Sequence, residues 1–378
     1  MTISRRTAIK SLTALGGLAL LPGSANALQP GTRRAGRILF LGGTGFLGPH
    51  MVQRALDRGY QVTLFTRGRA GRELFPNLEK LIGDRAGDMS ALRGKTWDVV
   101  IDNSGYVPAH VRTSAEMLRG NVGHYIYTST VDAYRDFHTP NFNEDYPLAQ
   151  LPEGAPHNPG RYYGPLKALC ENEVEKVFPN AFTVIRPVWV SGPGDNNHLF
   201  TYWVMRMKRG GEMLAPGTSN DPFQTIDVRD LAAFVVSAAE KKTIGHFNMA
   251  GPYLTFGEMV ATVQRVTSSK VDPVYVSAEF LRTKGIRPYF DLPLWWPPRN
   301  DYVVPSMPSG LGGGEGAFRV SGERARAKGL TPRPLAETAR DLLAWYEKEH
   351  GAWPATGRPG LTVERERALL DEWKQQGK

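Results

Sequence analysis

Short apolar runs recur along the chain between longer segments of mixed polarity. Residues 37–41, 61–66, 78–82, 98–102, 124–128 and 182–186 are brief, apolar and bounded by turn formers, which predicts strands. Helix-length stretches separate most of them, including a helix opening directly after 37–41 and another over 164–177. Strands alternating with helices predict right-handed crossovers and a parallel sheet covered on both faces. Beyond Pro187 the rhythm loosens. Amphipathic patterns predict helices near 200–209 and 228–241, residues 281–309 are rich in proline and aromatics, and 310–316 form a glycine-rich loop. Two more helical patterns, 335–349 and 363–376, close the chain. The predicted class is α/β. A doubly wound parallel sheet over residues 37–190 is followed by a smaller C-terminal α/β substrate-binding region over 191–350, interleaved with it, and a helical tail over 351–378.

Composition narrows the function classes. With 41% hydrophobic and 22% charged residues, 378 residues suffice for a large core. The net charge of +9 includes Arg5, Arg6 and Lys10 in a first segment, residues 1–27, that holds no acid; without it the charge is +6. The remaining basic residues are scattered among acids, with no long Lys/Arg run, so no nucleic-acid partner is expected. The segment Ser4-Arg5-Arg6-Thr7-Ala8-Ile9-Lys10, the apolar run to Leu21 and Ala25-Asn26-Ala27 resemble a twin-arginine export signal cleaved after Ala27, with a linker over 28–36. The run is about half of the 20 or so apolar residues that span a bilayer, so no stable membrane insertion is expected after cleavage. A periplasmic location follows, with the twin-arginine translocation machinery as a partner. Cys170 is the single cysteine, so no internal disulfide can form and stability must come from the core. Twin-arginine export moves folded proteins, usually because a cofactor is inserted beforehand.

The chain carries a candidate cofactor site. Gly42, Gly45 and Gly48 follow the first predicted strand and open a helix. In that context one glycine permits a tight turn, one lets backbone approach a pyrophosphate and one allows close packing of helix on strand. The backbone of Gly42, Gly45, Phe46, Leu47 and Gly48 then faces the negative charge from a helix N-terminus. The second strand ends Phe65-Thr66-Arg67-Gly68-Arg69, with no carboxylate to bind ribose hydroxyls and two guanidiniums that attract a 2'-phosphate. NADP(H) is therefore favoured over NAD(H), with Arg67 as its contact; the alternative is that both arginines are solvated loop residues.

Tyr163 and Lys167 lie four residues apart at the start of a helix, with Pro165 tolerated in the first turn, so both side chains share one face. A tyrosine needs a nearby cation to act as a proton shuttle at neutral pH, and Lys167 can supply that field and reach a nicotinamide ribose. Tyr162, one residue early, is the weaker candidate.

Together with the glycine turn these residues resemble the extended short-chain dehydrogenase/reductase superfamily, in its NAD(P)-dependent epimerase/dehydratase branch. The resemblance covers most of residues 37–350. It includes Gly83-Asp84, Asn103-Ser104-Gly105, Tyr127-Thr128-Ser129-Thr130, Arg186-Pro187, Gly192-Pro193-Gly194-Asp195 and Ile226-Asp227-Val228-Arg229-Asp230, all in the family's order. It implies a Rossmann-type fold in which Asp84, Asn103, Lys167 and Pro187 contact the cofactor. It also implies a catalytic hydroxyl on Thr130, with Ser129 as runner-up, and no metal. Asp132 stands where sugar dehydratases of the branch carry a glutamate base; a turn or capping aspartate is the other reading.

The substrate side is weaker in sequence. His198, Tyr202, Trp203, Gln224, Arg229, Trp295 and Trp296 are candidates to line a pocket for a sugar-like face, but most read as core or interface aromatics. The loop 310–316 is a candidate lid or a plain surface loop. The expected activity is reversible hydride transfer at a hydroxyl or keto group of a sugar-like substrate. A closed cycle of epimerisation or dehydration would suit an exported protein, and a homodimer is compatible with the sequence. The alternative is a non-catalytic binding module on the same fold.

Overall fold

The computed structural model describes residues 36–298, 314–353 and 359–376. The expected export signal, all but the last residue of the expected linker and residues 310–313 of the glycine-rich loop lie outside the described residues. Seven parallel strands form the central sheet: β1 (Arg37–Leu41), β2 (Gln61–Thr66), β3 (Glu79–Ile82), β4 (Val99–Asp102), β5 (Tyr125–Thr128), β6 (Phe182–Pro187) and β11 (Gly245–Met249). Their order is β11-β6-β5-β4-β1-β2-β3. The predicted strands are thus present with ends shifted by a residue, and the α/β Rossmann-type class holds. The seventh strand comes from residues 245–249, so the sheet reaches into the segment expected to bear the substrate region.

Both faces of the sheet are covered, as an all-parallel sheet requires. Along β1 the side chains alternate. Ile38 and Phe40 join one core with Met51 and Val52 of α1 (Leu47–Asp57) and Leu231 and Val235 of α5 (Val228–Lys241). Leu39 and Leu41 join the other, with Val111 and Ala115 of α2 (Pro108–Leu118) and Cys170 and Val174 of α3 (Pro159–Val177). This alternation is the period-two geometry of a strand acting on a run that reads as uniformly apolar.

The C-terminal part is built on shorter pieces. Two-residue strands β7 (Val190–Ser191) and β10 (Ile226–Asp227) pair, as do β9 (Pro222–Phe223) and β12 (Leu254–Thr255), while β8 (Gly211–Pro216) runs parallel to β13 (Val271–Val276). Helices α4 (Leu199–Arg209), α6 (Phe256–Thr267) and α9 (Leu335–His350) pack together, α10 (Val363–Gln376) rests on β8, and α7 (Ala278–Thr283) and α8 (Glu323–Ala327) are short connectors.

One buried ionic cluster ties the two parts. Arg186, at the end of β6, pairs with Glu171 of α3 at 2.6 Å, and both are almost fully buried. Arg186 also donates to the Tyr134 hydroxyl at 3.0 Å and the Glu144 carbonyl at 3.1 Å. Tyr134 donates to Asn248 of β11, whose backbone N–H donates to the Glu144 carboxylate. A buried pair of this kind is costly to break, because the surviving charge stays out of water without a partner. Glu171→Gln should therefore lower stability by about 3–5 kcal/mol, whereas the paired apolar replacement Glu171→Leu with Arg186→Met should recover most of the loss. Urea unfolding midpoints of the three proteins check this.

Candidate active site

The strand order reverses between β1 and β4, and the crevice at such a switch point is where open α/β sheets bind ligands. Two cavities open there. The larger of the two, about 560 Å³, is lined by Gly42, Gly45, Phe46, Leu47, Gly48, Asn103, Thr128 to Thr130, Asp132, Tyr163, Lys167 and Pro187, with others named below. The second, about 400 Å³, shares Gly42 and Tyr106 with the first and continues over Thr66, Arg67, Gly83, Asp84 and Arg85. Every residue expected to hold the cofactor or carry the chemistry lines one or the other.

The glycine turn fits a dinucleotide by its own geometry. Gly42 has φ +86°, and a Cβ there would meet the Ser104 side chain at 2.7 Å. A Cβ on Gly48 would strike the backbone of Gly43 at 2.4 Å, so this glycine sets how closely α1 packs on the turn. At Gly45 a Cβ would meet nothing within 4 Å: the space beside it is open. Helix α1 has no side-chain cap and no acid in its first turn, leaving its N–H groups to an anionic ligand.

Tyr163 owes its position to a missing side chain. Tyr162 has non-helical backbone angles, a kink that starts the regular part of α3 at Tyr163. A Cβ at Gly164 would lie 2.0 Å from the Asp132 carbonyl oxygen. Only glycine lets α3 settle on the turn over Val131–Ala133, and that contact brings Tyr163 beside Thr130 and Asp132. Thr130 caps the turn by accepting from the Asp132 N–H at 3.1 Å, which leaves its hydroxyl hydrogen for another acceptor. Ser129, the runner-up, lines the same cavity, and its buried hydroxyl has no partner among the described residues.

The electrostatics are set by burial. Burial pushes Asp132 up to about 6, with hydrogen bonding to Thr130 pulling the other way. Burial, then the Asp132 charge, holds the Tyr163 hydroxyl well above the ordinary tyrosine range. Lys167 is not among the largest influences on it. Lys167 Nζ donates instead to the Gly105 carbonyl at 2.9 Å and the Thr128 carbonyl at 2.5 Å, and lies 4.3 Å from the Tyr127 ring centroid. Burial brings its own pKa down to about 8.

On the substrate side most of the candidates are core residues, as the sequence favoured for its aromatics. Trp296 lines the cavity. Tyr202, Trp203 and Trp295 are core residues, the last two donating to the Pro293 carbonyl and to Asp221. Gln224 clamps the carbonyls of Gly251 and Val320, Arg229 pairs with Asp227 and Asp341, and His198 is buried among Tyr346, His350 and Trp353. Aromatic type alone does not separate pocket from core. The cavity instead takes Trp189, Asn196, Asn197, Leu199, Tyr106 and Tyr289, none of which the sequence singled out as pocket residues. Tyr106 had a signal, following directly on Asn103-Ser104-Gly105. Tyr289 had none.

Residues 38–250 match the model of the NAD dependent epimerase/dehydratase family. The chain belongs to that family. It is 30% identical over 239 residues to the chloroplast stem-loop binding protein of 41 kDa b from Arabidopsis thaliana, a match that covers 58% of this chain and 60% of that protein. The fold is also that of the UDP-glucose 4-epimerase of Thermus thermophilus, solved with NAD, at 17% identity, TM-score 0.57 and coverage of 83% of this chain and 99% of that one. The UDP-glucuronic acid 4-epimerase of Bacillus cereus, also with NAD, aligns at 15% identity and TM-score 0.59, covering 84% and 99%. Gly42, Gly45 and Gly48 line the same cavity as Tyr163 and Lys167.

The raised pKa of Asp132 has a consequence for stability. Its folded form holds a proton more tightly than an unfolded aspartate, whose pKa is about 4, so its contribution falls as pH rises from there through about 6. Asp132→Asn should therefore stabilise the protein by about 1–3 kcal/mol at pH 8. The gain should shrink as pH drops below 6, as read from thermal midpoints across that range.

Proposed function

We propose that the chain is an exported NAD(P)-dependent oxidoreductase of the epimerase/dehydratase type, acting on a hydroxyl or keto group of a sugar-like substrate. The observation that carries this reading is the convergence of Tyr163, Thr130 and Asp132 on the cavity that the open face of Gly45 and the uncapped end of α1 also enter. Gly42, Gly45, Phe46, Leu47, Gly48, Asn103, Lys167 and Pro187 would hold the dinucleotide, with Asp84 and Arg67 at its far end. When bound, the dinucleotide supplies the hydride acceptor and donor.

The chain's residues supply the rest. Tyr163 takes the proton from the substrate hydroxyl as it is oxidised and returns it on reduction, and Thr130 donates a hydrogen bond to the reacting oxygen. Asp132, ionised above about pH 6, can remove a proton from the carbon next to the transient ketone. Lys167, anchored on the Gly105 and Thr128 carbonyls, would position a ribose hydroxyl. NADP(H) is the favoured form: Arg67 lines a recess of about 320 Å³ with Arg72 and Lys80, a setting that suits a 2'-phosphate. Outside the cytoplasm free dinucleotide is scarce, so a cycle that returns its hydride to the substrate, as epimerisation and dehydration do, suits a cofactor loaded before export.

A second reading, a non-catalytic binding module, is favoured by the name of the stem-loop binding relative. Tyr163→Phe separates the two. A catalyst should lose about 10²–10⁴-fold in turnover while retaining its dinucleotide, whereas a binding module should be indifferent. Arg67→Ala should reduce the preference for NADP(H) over NAD(H) by about tenfold or more in direct titrations. Mature protein that carries no dinucleotide and takes up none would overturn the proposal.

A further inference from the structure

The substrate half of the cavity has an unusual inventory of polar groups. Among the described residues lining it, only Asp132 and Lys167 carry charge, and Lys167 Nζ already serves two backbone carbonyls. No arginine or histidine of the described residues lines it. Asp132 has no ion pair among them, and its charge raises the pKa of both Tyr163 and Tyr289.

Three neutral donors complete the set. The indole N–H groups of Trp189 and Trp296 and the Ser129 hydroxyl are buried and find no partner among the described residues. Buried donors are normally paired, and leaving one unpaired costs about 1–3 kcal/mol, so three such donors on residues that line one cavity point to a ligand that supplies acceptors. Asn196 and Asn197 add amides at the rim.

Aromatic rings form one wall. Trp189 and Trp296 meet edge to face with centroids 5.7 Å apart, and Tyr289 stands 6.3 Å from Trp189 and 6.2 Å from Trp296. Tyr289 sits at φ +68°, a backbone conformation that costs energy in a residue with a side chain and is retained where the surroundings impose it. The strained turn places its ring in the cavity.

We propose that this half of the cavity takes a neutral, polyhydroxylated molecule of monosaccharide size without a phosphate. One of its faces stacks on Trp189, Tyr289 and Trp296. Its hydroxyls accept from the indoles and Ser129 and donate to Asp132. The claim rests on the oxidoreductase reading and narrows its substrate class away from sugar nucleotides. A diphosphate would meet a carboxylate and no free cation of the described lining, and like charges brought together in a desolvated site are strongly disfavoured. Size agrees, since about 560 Å³ must hold the nicotinamide end as well.

The test is a fluorescence titration of the full mature chain, with and without dinucleotide, against neutral hexoses and methyl hexosides, UDP, UDP-glucose and glucose 1-phosphate. The expected result is saturable quenching by at least one neutral sugar and none by the three phosphates at equal concentration. Trp296→Phe, which keeps a ring and loses the donor, should weaken sugar binding at least fivefold while retaining dinucleotide; Trp189→Phe repeats the test on an independent donor. Asp132→Asn should admit glucose 1-phosphate about tenfold more tightly than the parent protein. Binding of UDP or UDP-glucose in preference to every neutral sugar, or no binding by any neutral sugar, overturns the proposal. Sugar binding by a protein that takes no dinucleotide would overturn the oxidoreductase reading and leave this one standing.

Discussion

The site depends on a contact that only glycine permits. Because Gly164 brings α3 against the Asp132 carbonyl, groups some thirty residues apart in sequence share one cavity. Tyr163 and Lys167 arrive on the helix, Thr130 and Asp132 on the turn, and the glycine-rich loop after β1 supplies the opposite wall. A methyl group at residue 164 would push the helix outward and separate Tyr163 from Thr130 and Asp132. The Arg186 cluster holds the same region from behind, joining α3, β6, β11 and the strand-free chain around Glu144. Packing in front and buried charge behind leave α3 little freedom to shift.

Burial raises the cost of charge on Asp132, Tyr163 and Lys167 alike. Asp132 and Lys167 both move toward neutrality, and Tyr163 resists ionisation. The resting site is therefore almost free of net charge, and a bound ligand must supply whatever favours the ionised tyrosine. A nicotinamide ring carrying positive charge in its oxidised form would do so, which couples proton transfer at Tyr163 to the redox state of its neighbour.

Much of the fold was legible because its signals are local. Residues 37–41 announce a buried strand by composition, Gly42 to Gly48 a turn by spacing, and Tyr163 with Lys167 one helix face by period. The substrate wall was not legible. Trp295 and Trp296 are adjacent and chemically identical, yet one donates to Asp221 in the core and the other lines the cavity. The difference lies in the backbone of the preceding turn, where Tyr289 and Leu294 both take left-handed angles without being glycine. Arg229 and Gln224 misled for a related reason. Long polar side chains suggest ligands, but these are spent on satisfying buried carboxylates and carbonyls left by irregular chain.

Cys170 lies one helical turn beyond Lys167, with its sulfur fully enclosed between α3 and the sheet and its pKa raised to about 11. A thiol in that state is inert, since the thiolate is the reactive form. Its reactivity is therefore a clock for α3. Alkylation can proceed only when the helix lifts from the sheet, so the rate of label uptake measures how often α3 opens. A bound ligand that secures Tyr163 and Lys167 would slow that clock, giving a natural chemical reporter of occupancy in a protein that needs no engineered probe.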